Sequence, residues 1–357
     1  MSDENRMYEL EYPSPEVGSD QADGPTMIIA LQGYADAGHA IDGVSRHLRA
    51  ALESATIASF SNDELIDYRS RRPAVTLEQD HLGEFTDLQL DIRVLRDAND
   101  KPFLLLSGPE PDFRWESFTQ AVADLADKYR VGRTISLYAS PMQVPHTRPM
   151  VVMAHGNSKD LVGDLVTWDA RLTVPGAAAL FIERELHKRG HNVGGFTAQV
   201  PHYLSQSPYP LATHQLLTAI QDATGLKFPL RSLEADIQRA NQQLGQYMEA
   251  NPEIMHLVHA LEAQYDQELE RYRQKHPDMR LPGEEAMPSG DELGAEFEAF
   301  LASIEDGTNA PEEPTSRGRG ELNGPSSENI FPLGEDAGET DEDTDPGEDS
   351  GEGRRPE

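Results

Sequence analysis

For its first two hundred residues the chain alternates short apolar runs with amphipathic stretches of helical period. Residues 27–31 form a continuous apolar run, as in a strand covered on both faces. Residues 33–38 turn the chain, Asp36 is placed to cap a helix, and Ile41, Val44, Leu48 and Leu52 recur at spacings of three and four. Residues 55–60 are strand-like, 88–95 alternate apolar and polar positions as an edge or half-exposed strand does, and 103–107 form a buried strand. Asp112 is placed to cap a helix whose apolar face is Phe118, Val122, Leu125 and Tyr129, and strands are predicted at 134–139 and 150–154. In the block 173–210 a helix is expected to start just after Pro175, to run through Leu180, Phe181 and Leu186, and to stop at Gly190 behind Lys188 and Arg189. A strand at 193–200 and a Pro- and Tyr-rich loop follow. Strands alternating with helices predict an α/β fold, a three-layer α/β/α sandwich around a mostly parallel sheet.

After Pro210 the strand signals stop. A helix is expected at 212–224, and a second stripe is Leu233, Ile237, Ala240, Leu244 and Tyr247. Asn251, Pro252 and Glu253 form a helix restart signal, and Leu257, Leu261, Tyr265, Leu269 and Tyr272 complete an antiparallel hairpin. A Pro/Gly loop at 277–288 leads to a short helix, with Ser289 and Glu292 suited to a capping box and Leu293, Phe297, Phe300 and Leu301 as its apolar face. The expected domains are a disordered leader (1–24), the α/β/α domain (25–225), an α-helical region (226–302) and a disordered acidic tail (303–357).

Charge and composition narrow the function classes. The formal net charge is -33. Residues 303–357 hold 17 acidic and 4 basic side chains, a net of -13 that leaves -20 on the preceding 302 residues. Both parts repel a nucleic acid or an anionic bilayer at long range, so neither nucleic acid nor membrane is an expected partner. The tail is too polar to offset its ordering entropy. Cysteine is absent, which excludes disulfides, thiolate metal sites and Cys nucleophiles. No signal peptide or membrane-length apolar run is visible, and a cytoplasmic location is expected.

Four loops carry polar groups that bear on chemistry. Residues 33–38 (Gly-Tyr-Ala-Asp-Ala-Gly) have the phosphate-loop spacing, but His39 and Ala40 stand where Lys and Ser or Thr would hold phosphate and magnesium. Asp36 is read either as a cap or as a cleft residue at the carboxyl ends of the strands. Glu110, Asp112 and Arg114, after the strand at 103–107, are expected at the same sheet edge. There the two acids are expected to serve as acid and base or to hold a hard cation, or else Asp112 caps, Arg114 pairs with an acid and Trp115 packs. Residues 156–160 (Gly-Asn-Ser-Lys-Asp) imitate a nucleophile elbow with Asp in place of its last Gly, and His202 is the later histidine available as base. His155 and Asn157 line a pocket or bond the loop. His202 and Tyr203 open a loop read either as a protein-contact surface or as rigid packing. His256 and His259 lie three apart on a helix with no further ligand nearby, so no metal, cofactor or catalytic residue is assigned.

The turn at 33–38, the loop at 108–115 (Gly-Pro-Glu-Pro-Asp-Phe-Arg-Trp) and the block 173–210 together resemble the PAC2 family, whose eukaryotic members are proteasome assembly chaperones. The resemblance covers residues 27–210 and implies a phosphorylase/hydrolase-like α/β/α sandwich of the bacterial type, followed by an α-helical hairpin region. It implies a non-enzymatic assembly-chaperone-like or scaffold protein acting through protein–protein contacts. Homo-oligomerisation, a trimer being one form, and a further protein partner go with it. The expected contacts are the aromatic loop after residue 200 and the helical hairpin. Archaeal relatives of the chaperones reach the proteasome with a C-terminal hydrophobic–Tyr–any-residue motif; this chain ends in Arg-Arg-Pro-Glu and departs from it. The alternative is a small-molecule-binding protein or hydrolase-like enzyme using Asp36, Glu110, Asp112, His155 and His202 around one cleft, and it requires those side chains to converge.

Overall fold

The computed structural model describes residues 7–17, 24–85, 88–163, 165–167 and 171–277. These belong to the unit Met1–Gly318; the second unit, Arg319–Glu357, lies outside them, as does the short helix expected from Ser289 onward. The strands are β1 (Tyr8–Leu10), β2 (Thr26–Gln32), β3 (Ser54–Phe60), β4 (Val75–Glu78), β5 (His81–Phe85), β6 (Asp91–Arg96), β7 (Pro102–Pro109), β8 (Arg133–Met142), β9 (Val152–Gly156), β10 (Val166–Thr167) and β11 (Asn192–Pro201). The helices are α1 (Ala40–Ala51), α2 (Asn62–Leu65), α3 (Trp115–Lys128), α4 (Lys159–Val162), α5 (Ala178–Lys188), α6 (Pro210–Thr224), α7 (Arg231–Ala250) and α8 (Pro252–Lys275).

Among the described residues one sheet has nine strands in the order β1-β3-β6-β7-β2-β8-β11-β9-β10. Its centre, β7-β2-β8-β11, is parallel throughout, and antiparallel pairs join β1 to β3, β3 to β6, β6 to β7 and β9 to β11. The central strands are the apolar runs of the sequence because both faces are covered. On one face Met27, Ile29, Leu104 and Leu106 pack with Phe118, Val122 and Leu125 of α3 and with Ile182 and Leu186 of α5. Ile28, Ala30 and Leu105 alternate to the other face, where α1 and α6 lie. The α1 stripe is buried as expected at Ile41, Val44 and Leu48.

The structure corrects several local expectations. Residues 7–10 are not a loose leader: Met7 is buried and β1 adds an edge to the sheet. Strand β6 is interior, not an edge, and its buried Asp91 is matched by Arg93 at 2.8 Å. A separate two-stranded hairpin, β4–β5, stands outside the main sheet. Asn251 does not cap α8; its amide donates to the Tyr247 carbonyl at 2.8 Å and closes α7. Helix α5 begins three residues beyond Pro175 and ends, as expected, at Gly190, whose φ is +86°.

Helices α1 and α6 cross closely enough to require a glycine. A β-carbon on Gly43 would stand 2.3 Å from Thr213 Oγ1, whose hydroxyl donates to the Ala40 carbonyl at 3.2 Å. G43A should therefore destabilise the protein in urea titrations by about 1–3 kcal/mol. In a T213A background the same change should be neutral or stabilising, because alanine is favoured over glycine in a helix by about 1 kcal/mol. Equal effects in both backgrounds would show that the crossing does not depend on this contact.

Candidate functional site

Glu110 gathers the loops at the carboxyl edge of the parallel strands. It is 8% exposed, and its Oε1 accepts the Ala178 backbone N–H at 2.6 Å, at the positive end of α5. Its backbone N–H donates to the Gln32 carbonyl at 2.7 Å, and its own carbonyl accepts from Arg71. A β-carbon on Gly33 would meet its Oε2 at 2.5 Å. The loops after β2 and β7, the start of α5 and the stem of the β4–β5 hairpin therefore meet at one residue, through its backbone and its carboxyl group. Asp112 does not cap α3. It accepts the Asp67 N–H at 2.8 Å and lies 3.6 Å from Arg71, while Arg114, in the left-handed conformation at the helix start, pairs with Glu64. Trp115 packs edge-on to Phe181 at 5.3 Å.

Asp36 lies at the same edge and does cap: its Oδ1 accepts the Ile41 N–H at 2.7 Å. Burial pushes its carboxyl group up to about 6. The loop at 36–39 is stitched to the loop after β11 by hydrogen bonds from Gly38 N–H to the Ser205 carbonyl and from Tyr209 N–H to the Gly38 carbonyl, both 2.8 Å. That second loop is packed at its tyrosines. Tyr209 is buried, and the Tyr203 hydroxyl bonds both the backbone N–H of His146 (2.9 Å) and its ring Nδ1 (2.8 Å). His202 is exposed and meets Tyr203 ring to ring at 5.3 Å.

His155 and Asn157 are at the other end of the sheet. Strand β9 runs antiparallel to β11, and His155 pairs with Gly195, seven residues before His202. The separation is about 23 Å at ~3.3 Å per residue. Asn157 holds the start of β11: Val193 N–H donates to its Oδ1 at 2.8 Å, and its amide donates to the His191 carbonyl at 2.9 Å. Ser158, the serine of the elbow-like turn, is buried at the same end, so His202 is no base for it. His155 and Asn157 are thus separated from His202, whereas Glu110 is close enough to Tyr138, whose ring lies 5.8 Å from that of His155, to act on it electrostatically.

His155 does belong to a polar cluster that its sequence context does not announce. Its Nε2 donates to Glu183 Oε2 at 3.0 Å, and Tyr138 Oη donates to Glu183 Oε1 at 2.6 Å. Glu183 is 7% exposed, and Gly195 leaves the space, since a β-carbon there would lie 2.2 Å from the imidazole. The bond to Glu183 raises the His155 pKa above 6.5 against the opposing effect of burial, whereas burial and Glu183 together push the Tyr138 hydroxyl well above 10.0. One signal in the sequence marks Glu183: it occupies the buried stripe of α5 between Ala179 and Leu186, where an apolar residue is expected. The cluster can hold a proton on His155, and the buried Ser136 hydroxyl lies beside Tyr138 on the strand position that pairs with Gly195.

This is an α/β/α sandwich with a helical extension. The PAC2 family profile matches residues 30–248, well over half of the chain, and the protein belongs to the PAC2 family. It is similar to a solved protein of unknown function from Corynebacterium glutamicum, with 57% identity, 75% of this chain and 100% of that one covered, and a TM-score of 0.73. A Mycobacterium tuberculosis protein of unknown function is 43% identical over 74% of this chain and 92% of its own, with a TM-score of 0.72. A proteasome-assembly chaperone homologue from Mycobacterium tuberculosis is 26% identical over 65% of this chain and 99% of its own, with a TM-score of 0.60. No curated protein matches. No helix among the described residues is long and apolar enough to cross a membrane.

Two titrations test this electrostatic picture. In wild type, NMR should give His155 a pKa above 6.5, and E183Q should lower it; an unchanged value would detach His155 from Glu183. Asp36 is raised from 3.8 to about 6, so the folded state binds more protons than the unfolded chain between those values. Stability should then fall as pH rises through that window. D36N should flatten this slope in denaturant titrations at pH 4 and pH 6, and a slope unchanged by D36N would show the carboxyl group to be solvated.

Proposed function

We propose that this protein is a non-enzymatic, assembly-chaperone-like scaffold that self-associates and holds a protein partner through the rim around Glu110. The observation that carries the reading is the apolar surface presented there. Tyr34 is 69% and Phe113 52% exposed on the two loops that Glu110 joins, and Val174 is exposed just before α5. The hairpin springs from the same place. Val75 pairs with Phe85 and Leu77 with Leu82 across it, so the four apolar side chains share a face, and Leu77 is 76% exposed. A two-stranded hairpin is marginal on its own in water, and an uncovered apolar face on one is a surface suited to a partner. The similarity to a proteasome-assembly chaperone homologue supports protein contact over chemistry. The separation of His155 from His202 weighs against the enzyme alternative.

Light scattering of the full chain at micromolar concentration should give a mass above that of one chain. L77D/L82D should reduce it, with the circular dichroism spectrum retained. Y34D/F113D should lose the proteins that wild type enriches from the native lysate. A wild-type monomer, or a Y34D/F113D variant that captures the same proteins as wild type, overturns the proposal.

A further inference from the structure

A cleft lies away from the rim, between the β9–β10 edge of the sheet and helix α8. Helix α8 is held to the body by a small apolar cluster of Val151, Met153 and Tyr265. The Tyr265 hydroxyl donates to the Pro149 carbonyl at 2.8 Å, and both Arg148 Nε and Nη2 donate to Asp266 at 2.8 Å. Beside this clamp the surfaces part into a cleft of about 540 Å³, in the size range of ligand sites. Its walls include Met142, Val144, Met153 and Val166 from the sheet side and Leu269 and Tyr272 from α8, with Gln264 and Glu268 along the helix wall.

We infer that this cleft is the docking site of the chain's own segment 291–304. Three observations select it as the occupant. First, the pattern fits a helix laid in a groove: Leu293, Phe297, Phe300, Leu301 and Ile304 recur at spacings that put all five on one face. At 1.5 Å per residue that stretch is about 18 Å long, similar to the ~17 Å of α8 from Gln264 to its end. Second, the tether suits the distance. Residues 277–288 span up to about 40 Å when extended, more than twice the run back along α8 to the cleft. Third, the charges complement one another. Asp291, Glu292, Glu296 and Glu298 flank the apolar stripe, while the end of α8 presents exposed Arg271, Arg273 and Lys275 beside the cleft. The opposing acids are Glu268 on the helix wall and Glu270, which lies 3.8 Å from Arg273. The short tether raises the local concentration of the segment far above that of any free helix, so an external partner of the same pattern must displace it.

The chain contains no cysteine, so introduced pairs report alone. E268C faces the cleft, and Q267C, one residue away, lies on the exposed side of α8 at the same tether length. Each is combined with E296C or with S303C in the full chain, which covers both directions of the docked helix. Docking predicts that, for at least one of those two positions, the intramolecular disulfide forms about tenfold faster with E268C than with Q267C, since tether length alone favours neither. F297D/F300D should abolish that preference without changing the circular dichroism of the α/β body. Equal rates for both α8 positions overturn the proposal. A disulfide that links two chains and grows with concentration overturns it in favour of a second copy as occupant.

Discussion

A buried carboxyl group must be satisfied, and the way Glu110 is satisfied organises the working edge of the molecule. Its oxygen sits on the first N–H of α5, where the helix dipole and an otherwise unpaired donor both favour it. The contact fixes where α5 starts, which in turn fixes Ile182 and Leu186 on the sheet and Glu183 over Tyr138. The same residue's backbone completes β2 through Gln32 and anchors Arg71, so the hairpin stem is held by the chain segment that holds the helix. With their backbones pinned this way, Tyr34 and Phe113 are left on the outside. The apolar rim is a consequence of that one satisfied acid.

The strands with two covered faces are plain in the sequence because a doubly buried strand tolerates almost no polar side chain; β2 and β7 show it. Helix α1 is equally plain, since its stripe repeats without interruption through Ile41, Val44 and Leu48. Residues 88–95 mislead, because alternation there comes from Asp91 and Arg93, which pair with each other in an interior strand, Asp91 being buried. Asp112 misleads for a related reason. A short acid before a helix suits a cap, yet its nearest unpaired donor is the Asp67 N–H, 45 positions back in the chain. Hairpin β4–β5 has no clear pattern because, among the described residues, neither of its faces is buried.

Strand direction is the quantity that periodicity does not encode, and here it decides the chemistry. Residues 150–156 read as a strand in either orientation. Had β9 run with β11, His155, Asn157 and Ser158 would have shared an edge with His202, and an acid–base–nucleophile set would have been within reach. It runs the other way, so the elbow-like turn and the later histidine are separated by the length of a strand. The family's sandwich is retained while the positions from which a hydrolase would draw its groups serve as caps and ties. This agrees with the general independence of fold and activity.

An acidic protein with an apolar rim is governed by two ranges of force. Copies carrying -33 each repel at a distance, but at physiological ionic strength that repulsion is screened beyond about 8 Å. Apolar burial acts only at contact and is worth roughly 25 cal/mol per Å². The charge therefore discourages loose, non-specific association while leaving a well-matched apolar contact free to form, and it favours a partner of lower or opposite charge over another acidic surface. The rim suits this division: the acids nearest to it, Asp36, Glu64, Glu110 and Asp112, are each bonded to a backbone N–H or an arginine. What the rim offers at contact is the side chains of Tyr34, Phe113 and the hairpin, so its selectivity lies in their shape.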